Sequence, residues 1–108
     1  MKKVISKSYT LRDEQGNWLA QVVLTSDGMF SAVSEYGNFA YAWRSTGDLS
    51  IEQFISQLDT DYFADKMRLG LAYSINRTKQ VDNACKFFAE KVLPPLQTLL
   101  RSEAQEAP

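Results

Sequence analysis

Ser26-Asp27-Gly28 and Gly37-Asn38 each separate two runs rich in β-branched and aromatic residues, and no other feature limits the fold so tightly. Asp-Gly and Gly-Asn tolerate the positive φ that two-residue hairpin turns require. Connections this short force the flanking strands to pair antiparallel. Residues 18–25, 29–36 and 39–44 (Phe-Ala-Tyr-Ala-Trp-Arg) are therefore read as consecutive strands. Residues 4–11 add a strand before them, closed by the polar cluster Asp13-Glu14-Gln15-Gly16-Asn17. The expected sheet is a meander in the order 1-2-3-4.

After Arg44 the hydrophobic period lengthens. Ser50 and Gln53 match a capping box, and Ile51, Phe54, Ile55 and Leu58 recur at helical spacing, which predicts a helix over 51–58. A second helix is expected from Asp59 or Thr60 to Gly70. A third starts near Thr78, with Val81, Ala84, Cys85, Phe88 and Val92 on one stripe. Pro94-Pro95 should stop it, because proline lacks an amide donor and disfavours helix in the residue before it. A short final helix is expected through Leu96, Leu99 and Leu100, and residues 103–108 read as a disordered tail. The fold class is α+β: a four-stranded antiparallel meander, then three to four helices, in one domain over residues 1–102.

Register decides which side chains share a face. With Asp27-Gly28 and Gly37-Asn38 as turn centres, Tyr36 opposes Phe39, Ser34 opposes Tyr41, and Ala32 opposes Trp43. Phe30, Tyr36, Phe39, Tyr41 and Trp43 then lie on one side. Tyr9, Leu11, Ala20, Val22, Leu24, Val33, Ala40 and Ala42 lie on the other. Both faces would be largely apolar, unlike a sheet with one solvated side. Either the helices and tail wrap both faces, or helices cover one and a partner meets the other. Ala40 and Ala42 favour helices on their own side, since small residues admit a close approach. The expected partner-binding set is therefore Phe30, Tyr36, Phe39, Tyr41 and Trp43, with the adjoining Arg44.

Catalytic chemistry finds little to work with. The chain has no histidine, which excludes Ser-His-Asp and Cys-His nucleophiles and most zinc sites. Its one cysteine, Cys85, lies on an apolar stripe and is expected in the core. Asp59, Asp61 and Asp65 invite a metal, but they fit a helix N-cap, an acidic first turn and a solvated face. No enzyme activity, metal or cofactor is expected. A net charge of −1 argues against nucleic acid, although an aromatic sheet face that stacks single-stranded bases is the alternative reading. Asn76-Arg77-Thr78 matches a glycosylation sequon, which means little without secretion. No apolar stretch forms a signal peptide or a membrane span, so the expectation is a cytoplasmic protein.

The segment Ser34-Glu35-Tyr36-Gly37-Asn38-Phe39-Ala40-Tyr41-Ala42-Trp43, followed by Phe54-Ile55, Leu58 and Tyr62-Phe63-Ala64-Asp65-Lys66, resembles small phage and prophage proteins. Those carry a YGN(Y/F)-aromatic-W hairpin and then a helix ending in Y(L/F)xxK. The likeness spans roughly residues 20–67 and implies a genomic setting rather than an active site. It also implies a function: small phage accessory proteins without enzymatic residues commonly bind a host protein, including host immune effectors. The expected partner is thus a host protein, in an antiviral defence complex for instance. The sheet leaves room for a homodimer.

Overall fold

The computed structural model describes residues 3–71 and 78–106. Four strands, β1 (Ser6–Arg12), β2 (Trp18–Thr25), β3 (Met29–Ser34) and β4 (Gly37–Ala42), form an antiparallel sheet in the order β1-β2-β3-β4. Three helices follow: α1 (Ile51–Ser56), α2 (Thr60–Gly70) and α3 (Lys79–Glu106). The α+β meander and the capping box at Ser50 and Gln53 are as the sequence predicts. Asp59 caps α2 by accepting the amides of Asp61 and Tyr62. Thr78 accepts the amide of Val81 at the start of α3.

The register differs from expectation, and the first hairpin explains why. Among the described residues none other than glycine has positive φ, so Asp27 cannot sit at the centre of a two-residue turn that needs it. The Gly28 amide instead donates to the Thr25 carbonyl, and Gly28 takes φ 98 as the last residue of a three-residue loop. Thr25 Oγ1, which also contacts the Asp27 carboxylate, accepts the Met29 amide. Leu24 therefore opposes Phe30, and Val22 opposes Ala32. One extra loop residue slips β3 by one position against β2 and exchanges its two faces.

The second turn is also displaced, by two residues. Ser34 pairs with Gly37, Ala32 with Phe39 and Phe30 with Tyr41, so Glu35 and Tyr36 form the loop. A two-residue shift preserves the faces within that hairpin. The combined result places Tyr9, Leu11, Ala20, Val22, Leu24, Phe30, Ala32, Phe39 and Trp43 together in one core beneath the helices. The expected pair of apolar faces becomes one.

The other face carries three cross-strand rows: Ser6, Thr25, Met29 and Ala42; Ser8, Val23, Ser31 and Ala40; Thr10, Gln21, Val33 and Asn38. The helices pack on the core side. At the outer edge of β4, Gly70 of α2 comes so close that a Cβ there would stand 1.9 Å from the Ala40 carbonyl oxygen.

The α3 helix runs through Pro94 and Pro95 without the expected break, and it remains helical to Glu106 where a disordered tail was expected from residue 103. The two missing amide donors would have served the Glu90 and Lys91 carbonyls, and both residues are exposed, so water can take their place. Val92, Leu93 and Leu96 are fully buried on either side of the prolines, and that packing holds the helix together. Beyond the prolines, Gln97 donates to the Ile55 and Leu58 carbonyls and Arg101 to that of Ser56. These bonds reinforce the end of α1, where the Leu58 amide already donates to the Ile55 carbonyl. Near the C-terminus, Glu103 accepts hydrogen bonds from the Lys7 ammonium at 3.2 Å and the Tyr9 phenol at 3.3 Å.

Candidate interaction surface

The residues expected to face a partner are mostly interior. Phe30 is 0% exposed, Phe39 4% and Trp43 5%. Phe30 meets Phe63 edge-on at 5.2 Å, and Phe39 stacks on Phe88 at 4.1 Å. The slip at Gly28 turned this aromatic side toward the helices, which corrects the expectation that Ala40 and Ala42 would carry them. Single-stranded bases need exposed rings for stacking. Buried Phe30, Phe39 and Trp43 offer no such platform.

The remaining three expected residues stay at the surface, at separate places. Tyr36 is half-buried at the lip of a cleft of about 440 Å³ whose other walls include Arg12, Glu14 and Lys91. Arg44 is exposed beside a polar cleft of about 360 Å³ with Ser26, Asp27, Ser45 and Thr46. Tyr41 is half-buried on β4 and belongs to the one arrangement that reaches from core to surface. Its ring packs edge-on against Trp43 at 4.9 Å. The Trp43 indole N–H donates to the Tyr62 hydroxyl at 3.1 Å. Between the two tyrosines stands Lys66, its ammonium 5.6 Å from the Tyr41 ring centre and 5.3 Å from that of Tyr62.

Tyr62 and Lys66 are four apart on α2, so they share a helix face, and the packing of α2 along β4 brings that face to Tyr41. Each cation–π contact is worth about 0.5–1 kcal/mol at a partly exposed site. The outcome is a rim of three amphipathic side chains held in place by a buried tryptophan. The sequence reading missed Tyr62 and Lys66 as site residues, although it contained the signal: both fall in the helical segment that carried the phage resemblance.

Residues 1–91 match the model of Phage_phiTE_072, a phage family. The chain belongs to this phage family. No curated protein and no solved structure matches it. The matched residues contain the whole rim of this phage protein, and they end just short of the two prolines in α3.

Elsewhere the phage protein offers less chemistry. Cys85 is 1% exposed, and burial pushes its thiol pKa up, away from the thiolate that reacts. Asp61, Asp65, Arg68 and Asp82 line a cleft of about 250 Å³ between α2 and α3, where Arg68 bonds Asp65 and stands 4.0 Å from Asp82. Among the described residues no three His, Cys, Asp or Glu are grouped to hold a metal ion, and no helix is long and apolar enough to cross a membrane. Asn76 and Arg77 of the sequon lie outside the described residues.

Proposed function

We propose that this phage protein is a non-enzymatic accessory protein that binds a host protein through the Tyr41–Lys66–Tyr62 rim. The observation that carries the reading is the Lys66 ammonium held between two half-buried tyrosine rings, one of them anchored by Trp43. Tyrosine supplies large contact area at small entropic cost, and anchors already fixed in the free protein lose little freedom on binding. Lys66 gives the rim its sign: the complementary host surface carries a carboxylate opposite it. Host proteins of antiviral defence complexes are the class of target to examine first.

The test is co-purification from the bacterial host with the wild-type chain and with Lys66→Glu and Tyr62→Ala. Trp43 and Phe39 are left intact, because truncating either would empty the core. A host protein retained by the wild type should fall at least tenfold with each variant, while thermal melts stay cooperative. Equal retention by all three chains would refute the rim as the binding surface. A wild-type chain that retains no host protein would refute the function itself.

A further inference from the structure

We propose that the outer face of the sheet is the contact surface of a homodimer, in which two copies of this chain pack sheet against sheet. This goes beyond host binding and uses the opposite side of the sheet from the Tyr41–Lys66–Tyr62 rim.

The three outer rows contain no Asp, Glu, Lys or Arg. The chain as a whole is 23% charged, so composition alone would place roughly three charges among those positions. Seven of the twelve positions are polar but uncharged, whereas a solvated sheet face normally carries charged side chains as well. Here Met29 and Val33 stand 43% and 54% exposed, and Ala40 and Ala42 are exposed beside them on β4.

Absence of charge is what points to a second copy. Around a two-fold axis a patch meets itself, so each charge near the axis would approach its own like. A distinct protein partner is ordinarily selected, and wrong ones rejected, through complementary charges. This face lacks the means for that selection but satisfies the condition for self-contact. Residue size agrees: Val23, Met29 and Val33 on the two central strands are larger than Ala40 and Ala42 on β4, a ridge beside a trough by side-chain volume. Sheets crossed at the usual angle of about 30° can seat the ridge of one copy in the trough of the other. Thr10 already donates to the Gln21 side chain at 2.8 Å, so part of the polar surface is paired before contact.

Area sets the strength. Four strands at ~4.8 Å spacing and about 23 Å long present roughly 450 Å² per copy in projection, hence about 900 Å² for the two copies together. That lies below the roughly 1,200 Å² of stable specific interfaces, so the dimer should be weak and form reversibly at roughly micromolar concentrations or above.

Sedimentation velocity from ~5 to ~500 μM tests this, a range that brackets micromolar dissociation constants. The wild type should pass from monomer to dimer as concentration rises. Val33→Glu and Ser8→Lys, exposed on different strands, should each weaken the dimer at least tenfold with unchanged melting, while Lys86→Ala on exposed α3 surface leaves it as it was. If one face variant misfolds, the other decides. A wild type that stays monomeric throughout overturns the proposal. So does a dimer that the folded face variants leave intact, because the contact would then lie elsewhere.

Discussion

Gly28 controls the register, and replacing it with alanine should be far more damaging than a surface loop substitution ordinarily is. Its φ of 98 lies where an L side chain costs about 1–2 kcal/mol. A Cβ there would also stand 2.0 Å from the Trp43 carbonyl oxygen, a backbone atom that cannot swing aside. Relieving the overlap means opening the bond from the Trp43 amide to the Gly28 carbonyl, 2.8 Å long, which is worth about 1 kcal/mol. It also means shifting the β3–β4 hairpin against a filled core, at about 1–3 kcal/mol. Gly28→Ala should therefore lose about 3–6 kcal/mol, a large share of the 5–15 kcal/mol typical of a domain. Gly16 is the control: its φ is 85 but nothing lies within 4 Å of a Cβ, so Gly16→Ala carries only the conformational cost. Urea titration followed by tryptophan fluorescence should separate the two variants by at least ~2 kcal/mol. Losses equal within about 0.5 kcal/mol would mean that the close approach of Gly28 to Trp43 is not real.

Two further outcomes are expected. Gly70→Ala should destabilise the chain in urea titration, although alanine is favoured over glycine in a helix by about 1 kcal/mol, because the new methyl would meet the Ala40 carbonyl oxygen at 1.9 Å; a gain in stability would refute the contact. The Tyr9 phenol, raised to about 12 first by burial and then by the Glu103 carboxylate, stays neutral in the folded chain above pH 10, where the unfolded chain ionises. Its contribution is complete below pH 10 and is lost as pH rises toward 12, at most about 2–3 kcal/mol in all. Lys7, raised by its bond to Glu103, acts in the same direction. Urea midpoints between pH 8 and 12 should fall steeply for the wild type and less so for Tyr9→Phe.

Element order and type were legible because the signals were local. Asp-Gly and Gly-Asn marked the hairpins, Ser50 with Gln53 marked the start of α1, and Asp59 that of α2. Face assignment was not local. A two-residue and a three-residue loop look alike around Ser26-Asp27-Gly28, and only the φ of Asp27 distinguishes them. That single ambiguity sent Phe30, Phe39 and Trp43 to the wrong side. It also produced the expected double apolar face, which left wrapping helices and a bound partner as alternatives. The prolines misled for a related reason: their local cost is real, but Leu93, Leu96 and Leu100 outweigh it through contacts the sequence does not display. The rim was half legible, since Tyr41 stood out while Tyr62 and Lys66 become significant only once α2 lies along β4.

The bonds from Gln97 and Arg101 to the end of α1 bear on the order in which the chain can be built during synthesis. A helix of six residues cannot persist alone, and the carbonyls at and just beyond its end are met by side chains 39 to 45 positions downstream. The meander needs only short-range closures and can assemble while the later residues are still being added. Completion of α1 waits until Gln97 and Arg101 have been added. A nascent chain truncated before Gln97 should hold a formed sheet with an unfinished roof, leaving Ile51 and Ile55 exposed to whatever meets them first.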